Sequence, residues 1–229
     1  QLGDLKQCVR LIKESGKQKL WPRALHLMED LCAAGFKANV VIYTALIGAC
    51  ENGRRWQLAL SILTSLPRQG LRLDTVAFNA AISTCSKGKQ WSHAFGLMLE
   101  MQKHALRPDA ITYNTLISAG RRTQEWAWSL RCLADMELHG IQLNVSSFNA
   151  SISACASGRQ WASGLHLLDR MRSSCQRPDV ITFNSLITAC SKDQQWWRAL
   201  GLFDALQQHG LEPDTVTHNS LITVCDRVH

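Results

Sequence analysis

The 229-residue sequence has no CxxC pair, no GxGxxG or GxxxxGK[ST] phosphate loop, no GxSxG elbow and no HxE followed by CxxC. Dinucleotide, nucleoside triphosphate, serine-hydrolase and zinc-deaminase chemistry therefore find no local motif. Tyrosine occurs only twice and proline five times. The longest nearly continuous apolar stretch, Val40 to Cys50, carries Tyr43 and Thr44 and is too short to cross a bilayer, so no membrane span is expected. The eight histidines are dispersed, and His139 and His209 merely precede turn glycines. No cofactor, metal or small-molecule substrate is called for, and the chain reads as a non-enzyme. It opens on Gln1 without a basic region followed by an apolar one, so localisation cannot be read from a leader.

What is present is enough for a core: 46% apolar and 19% charged residues exclude a disordered tail. Lys and Arg number 25 against 18 Asp and Glu, a formal charge of +7 that favours a polyanionic partner. Nine widely spaced cysteines are an odd count for a disulfide scaffold and read as reduced thiols of an intracellular or organellar compartment.

Eight tryptophans outnumber every other aromatic type, and their spacing explains them. Trp21, Trp56, Trp91, Trp126, Trp161 and Trp196 recur every 35 residues, leaving Trp128 and Trp197 outside the series. Ile12, Ile47, Ile82, Ile117, Ile152, Ile187 and Ile222 keep the same interval, as do Cys50, Cys85, Cys155, Cys190 and Cys225. A fixed period of this size marks a repeat architecture. The units are 5–39, 40–74, 75–109, 110–144, 145–179 and 180–214, with 1–4 ending a preceding unit and 215–229 an incomplete one. The chain is thus expected to be one array and a segment of a longer one.

Each unit predicts two helices. The first dozen residues place apolar positions at helical spacing, as in Ile181, Phe183, Leu186, Ile187 and Cys190. A polar turn follows, and the second helix starts near the Trp, burying Trp196, Ala199, Leu200, Phe203 and Leu206 in unit 180–214. Gly35, Gly70, Gly140 and Gly210 sit where a left-handed cap is wanted, and Pro108, Pro178 and Pro213 stop the helix from continuing. Pro22 falls just inside its helix, where a missing N–H is harmless. The slot of Ala24, Ala59, Ala94, Ser129, Gly164 and Ala199 is always small and permits close helix approach, with the Trp packing into the seam between hairpins. A single hairpin cannot bury both faces, so the units must stack into an all-α solenoid.

Asn79, Asn114, Asn149, Asn184 and Asn219 share one slot in the second turn of the first helix, with Thr44 in unit 40–74. Asn is a poor residue for a helix interior, so its repetition needs a reason. Either its amide bonds a preceding carbonyl and shapes hairpin packing, or it offers a donor and an acceptor to an unstacked base. Asp74, Asp109, Asp179 and Asp214, with Asn39 and Asn144, close the units and read as helix N-caps that can also take part at a binding rim.

The cores Val41-Ile42-Tyr43-Thr44-Ala45-Leu46-Ile47, Ile111-Thr112-Tyr113-Asn114-Thr115-Leu116-Ile117 and Ile181-Thr182-Phe183-Asn184-Ser185-Leu186-Ile187 resemble the pentatricopeptide repeat family in its 35-residue P-type form. So do the unit endings Leu106-Arg107-Pro108-Asp109 and Leu211-Glu212-Pro213-Asp214. Tetratricopeptide repeats differ in a period of 34 and a Trp-Leu-Gly-Tyr pattern missing here. The resemblance implies a right-handed superhelix of antiparallel hairpins that binds single-stranded RNA with one base per repeat. It implies residence in a chloroplast or mitochondrion and a role in RNA stabilisation, processing or translation.

By the same resemblance the two polar slots of a unit read a base together. Thr44 with Asp74 implies guanine. Asn79 with Asp109, Asn149 with Asp179 and Asn184 with Asp214 imply uracil, and Asn114 with Asn144 a pyrimidine leaning to cytosine. The implied core is 5′-G-U-C/U-U-U-3′. Val9 holds the reader slot of unit 5–39 and leaves its base unassigned, while Asn219 lacks a downstream partner. Val41, Val76, Ile111, Ile181 and Val216 fill the slot that wedges between bases in the family, with Ser146 and Lys6 departing from it; plain helix packing is the other reading of these aliphatics.

Basic residues gather between the hairpin arms, among them Lys19, Arg54, Arg55, Lys89, Arg121 and Arg159. Lys17, Lys87, Arg122, Lys192 and Arg227 share one slot there and are the expected phosphate contacts. A repeat scaffold docked on an organellar ribosome or other assembly, contacting protein or RNA without reading bases, is the other function the repeats allow.

Overall fold

The periodicity is realised as alternating helices in the computed structural model. It describes residues 2–33, 35, 39–123 and 125–226, with the side chains of all these except 2–6, 32, 122 and 123. The first helices of successive repeats are α1 (Leu2–Lys17), α3 (Val40–Asn52), α5 (Thr75–Lys87), α7 (Ala110–Thr123), α9 (Val145–Ser157), α11 (Val180–Lys192) and α13 (Thr215–Asp226). The second helices are α2 (Trp21–Ala33), α4 (Trp56–Ser65), α6 (Trp91–Lys103), α8 (Trp126–Leu138), α10 (Trp161–Ser173) and α12 (Trp196–Gln208). No strand occurs among the described residues.

Every second helix begins on the periodic Trp, and the hairpin turn before it closes on the cysteine slot. The Arg55 N–H donates to the Cys50 carbonyl at 3.0 Å, Gln90 to Cys85 at 2.9 Å, Gln160 to Cys155 at 2.8 Å and Gln195 to Cys190 at 2.9 Å. These bonds satisfy carbonyls that the end of the first helix leaves open. After the second helix the chain reverses through a left-handed residue, Gly35, Gly70, Gly140 or Gly210, with φ between 69° and 78°. Ala105 and Cys175 hold that conformation at φ 58° and 57°, so the slot does not demand glycine. Pro67 in the last turn of its hairpin ends α4 early and sets a short 3-10 turn, Pro67–Gln69.

Contacts divide the chain into two compact units, Gln1–Ala119 and Gly120–His229. In the first, α1, α3 and α5 pack in a row, while α2 lies on α1 and α3 and α4 on α3 and α5. In the second, α9, α11 and α13 form the row, α10 lies on α9 and α11, and α12 on α11 and α13. Each unit is therefore a layer of first helices backed by a layer of second helices, the stacked-hairpin arrangement of an α-solenoid. Ile12, Ile47, Ile82, Ile117, Ile152 and Ile187 are fully buried between the layers. The small slot is buried too, and at Gly164 a Cβ would stand 2.9 Å from Leu186 Cδ2, which shows how close the helices come.

The Trp series does line the hairpin seams, though as half-buried rings. A Cβ on Gly53 would meet Trp21 Cδ1 at 2.7 Å, and one on Gly88 would meet Trp56 Cδ1 at 2.9 Å. These indoles thus lean on the turn of the next repeat. This corrects the burial expected in α12: Ala199 and Leu206 are fully buried, but Trp196 is 46% and Leu200 39% exposed, and Phe203 is half-buried. Ile222 in α13 is 65% exposed as well.

Leu2–Asp4 lie within α1. The described cysteines are free; Cys50, Cys85, Cys132, Cys155 and Cys190 are buried, while Cys175 and Cys225 are exposed. No described helix is long and apolar enough to cross a membrane.

Candidate nucleic-acid interface

The residue closing each repeat caps the next first helix. Asn39 accepts from the Ile42 N–H at 3.1 Å, Asp74 from Ala77 at 2.8 Å, Asp109 from Thr112 at 2.9 Å, Asn144 from Ser147 at 2.9 Å, Asp179 from Thr182 at 2.9 Å and Asp214 from Thr217 at 2.8 Å. The extended backbone of Asn39, Asp74, Asn144 and Asp179 is what lets a short side chain fold back over the first turn.

Capping fixes the carboxylates where the asparagines of the preceding repeat can reach them. Asn79 Nδ2 donates to Asp109 at 3.2 and 3.4 Å, Asn149 Nδ2 to Asp179 at 3.0 and 3.1 Å, and Asn184 Nδ2 to Asp214 at 2.9 Å. The asparagines are thus tied to the residue 30 positions on, not to a carbonyl of their own helix. That removes the local-bond explanation for their presence in a helix interior at these three repeats. A buried threonine completes each cluster: the hydroxyls of Thr112, Thr182 and Thr217 lie 2.6, 2.5 and 2.6 Å from the Oδ1 of Asn79, Asn149 and Asn184. Thr44 behaves differently, since its hydroxyl donates to the Val40 carbonyl at 2.8 Å. Asn114 is half-buried and Asn219 exposed.

The clusters set the charge of the carboxylates. Burial pushes the Asp109 carboxyl up, but the Thr112 N–H and hydroxyl, the Asn79 amide and the Ile111 N–H outweigh it and hold it below the usual range. At Asp214 the Thr217 N–H leads; against a smaller opposing effect of burial, it holds the carboxyl low with the Thr217 hydroxyl, the Asn184 amide and the Val216 N–H. These groups are anions at neutral pH, each with acceptor capacity left over.

The aliphatic slot beside the readers is not packed. Val41, Val76, Ile111, Ile181 and Val216 are between 53% and 63% exposed, and Ser146 is exposed as well. Helix packing therefore does not explain the five aliphatics. In the first unit a pocket of about 390 Å³ opens between Val41 and Val76 with Thr44 and Asp74 in its lining. In the second unit one of about 320 Å³ opens between Ile181 and Val216 with Asn184 and Asp214 in its lining. The same slots thus build the same recess four repeats apart.

The shared basic slot is partly engaged within the protein. Lys87 Nζ stands 2.8 Å from Glu51, which also accepts from Ser83, and Lys192 Nζ donates to the Ala156 carbonyl at 3.0 Å. Asn52, in the same slot, donates to the Gly16 carbonyl at 3.0 Å. This slot ties neighbouring first helices together. Lys17 is exposed and lines the first recess together with Lys13, a cation the repeat pattern alone does not single out. The side chains of Arg122 and Lys6, and Arg227, lie outside the described residues. Lys19, Arg54, Lys89 and Arg159 are left-handed turn residues with exposed side chains, and Arg55 stacks over Trp21 at 4.9 Å. No group of His, Cys, Asp and Glu able to hold a metal ion occurs among the described residues.

Family profiles agree with the repeat. The PPR repeat family matches residues 73–120 and 178–227, and the pentatricopeptide repeat domain matches 26–66 and 131–193. The chain belongs to the pentatricopeptide repeat family. No curated protein matches it by sequence. Among solved structures, the pentatricopeptide repeat protein PPR10 from maize is similar at 24% identity and a TM-score of 0.73 over 93% of this chain and 31% of that one. PPR10 in complex with an 18-nucleotide psaJ RNA element gives 22% identity and a TM-score of 0.77 over 96% and 32%. The pentatricopeptide repeat domain of Arabidopsis thaliana protein-only RNase P 1 in complex with tRNA gives 14% and 0.66 over 79% and 95%. These likenesses establish the fold, and the chain spans about a third of the length of PPR10.

Proposed function

We propose that these pentatricopeptide repeats bind single-stranded RNA without catalysing a reaction, seating one base per repeat. The observation that carries this reading is the recurring recess. Two exposed aliphatic side chains stand on either side of a polar pair, which is the form needed to sandwich a flat base and address its edge. Two of the fold relatives were solved with RNA, which supports the same class of partner.

In this reading Thr44 with Asp74 takes guanine; Asn79 with Asp109, Asn149 with Asp179 and Asn184 with Asp214 take uracil; and Asn114 with Asn144 takes a pyrimidine. The site is 5′-G-U-C/U-U-U-3′, and the protein protects, remodels or presents an organellar transcript. Exposed lysines such as Lys17 follow the phosphates. The Asn79→Thr variant tests the register: with RNAs substituted one base at a time, preference at the second base moves from uracil towards guanine while the other positions keep theirs. An unchanged profile contradicts this assignment.

A further inference from the structure

The threonine in the third turn position of a first helix does not face the recess as a reader, yet it touches both readers of the repeat before it. Thr112, Thr182 and Thr217 are fully buried. Each receives the N–H of its own cap, from Asp109, Asp179 or Asp214, at 3.2 Å, so the oxygen is used as an acceptor. Its single proton then lies between the Asn Oδ1, at 2.5–2.6 Å, and the Asp Oδ1, at 2.9 Å.

This geometry fixes the asparagine amide. Its NH2 must face the carboxylate, which only accepts, and its oxygen must face the hydroxyl, which here donates. Turning the amide over would set its oxygen against the anion and lose the bond to the carboxylate at a half-buried place, where an unmet polar group is costly. The atoms left for a ligand are one N–H and one lone pair in a single order. Uracil offers O4 as acceptor beside N3–H as donor; cytosine offers the reverse, N4–H beside N3. An amide free to turn serves either base, and a fixed one serves only one of them.

Occupancy of the slot follows the readers. Thr112, Thr182 and Thr217 stand behind the three Asn–Asp pairs. Ala77 stands behind Thr44–Asp74, where there is no amide to orient, and Ser147, which keeps a hydroxyl and donates to Asn144 Oδ1 at 3.0 Å, stands behind Asn114–Asn144. We infer that Thr112, Thr182 and Thr217 are specificity-determining positioning residues, which lock the reader asparagine of the preceding repeat and so make it select uracil over cytosine. This rests on the base-reading function proposed above.

The test compares wild type, Thr112→Val and Thr112→Ser on RNAs carrying uracil or cytosine at the second base. Side-chain amide NMR of Asn79 in the free protein is recorded alongside. Wild type and Thr112→Ser should favour uracil by roughly 5- to 150-fold, the span of a single base mismatch. Thr112→Val, which keeps the shape and loses the hydroxyl, should narrow the uracil preference, since only the Asp109 carboxylate is left to orient the amide, and move the Asn79 amide resonances. Should Thr112→Val not fold, the reciprocal gain decides: Thr44→Asn alone should favour uracil weakly at the first base, and Thr44→Asn with Ala77→Thr should favour it more strongly. A wild type that discriminates and a Thr112→Val variant that discriminates equally overturns the lock and leaves base reading standing. A wild type with no uracil preference at that base overturns both.

Discussion

Ile181 and Val216 face each other across the recess that holds Asn184 and Asp214, and changing both to alanine separates a binding role from a folding role. Complete burial of a Val or Ile side chain contributes roughly 1.5–3 kcal/mol. Ile181 is 62% and Val216 53% exposed, so a ligand can still gain about half of that at each, roughly 1–1.5 kcal/mol. A base covers one flank of each side chain, and alanine keeps the Cβ. The paired substitution should therefore cost about 1–2 kcal/mol of RNA affinity, a factor of roughly 5–30 in Kd. Folding should hardly notice, since exposed substitutions of this kind stay within about 0.5 kcal/mol. Fluorescence anisotropy with a labelled GUCUU-centred RNA, together with a thermal melt, measures both. Unchanged affinity with an unchanged melt would refute the wedge role, and a large drop in the melt would show that the side chains serve packing after all.

Thiol chemistry should divide along burial: iodoacetamide mapping by mass spectrometry should find Cys175 and Cys225 modified first. Burial raises the Cys50, Cys85, Cys155 and Cys190 thiols to about 11 and Cys132 to about 12, so these should react only on unfolding. The carboxyls of Asp109 and Asp214 are held low when folded, so the stability they contribute is complete above the ordinary carboxylate midpoint of about 3.9 and is lost as pH falls through their lower folded values. Melts against pH should fall in that acid window, and less steeply in Thr112→Val/Thr217→Val; an equal slope would contradict the origin of the shift. Lys17→Ala should weaken RNA binding and reduce the salt slope by about 1 without altering the melt. Lys87→Ala, which breaks the tie to Glu51, should lower the melt as well.

Much of this structure is legible in the sequence because a repeat averages away local ambiguity. Six tryptophans mark six helix starts, and the Ile series marks the layer between helices with every member buried except Ile222. What escaped legibility depends on neighbours. Trp196 and Leu200 carry an apolar pattern, but burial there needs a following turn, and periodicity within one unit does not report it. The slot of Lys87 and Lys192 looks like solvated charge because the carbonyl and carboxylate it reaches belong to the previous repeat. The left-handed turns at Ala105 and Cys175 have no glycine to announce them. Thr112, Thr182 and Thr217 look like ordinary first-turn residues in any single unit, although their fixed distance from the Asn and Asp slots is a signal that aligned repeats carry.

Equilibrium binding to 5′-GUCUU-3′ and to 5′-UUGCU-3′, set in the same adenine flanks at one salt concentration, tests base reading most directly. The second RNA has the same composition and misplaces at least three bases in every register. At about 1–3 kcal/mol for each misplaced base, the first should bind at least roughly 100-fold more tightly. Equal affinity for the two would mean that these repeats hold RNA, if they hold it, without reading it.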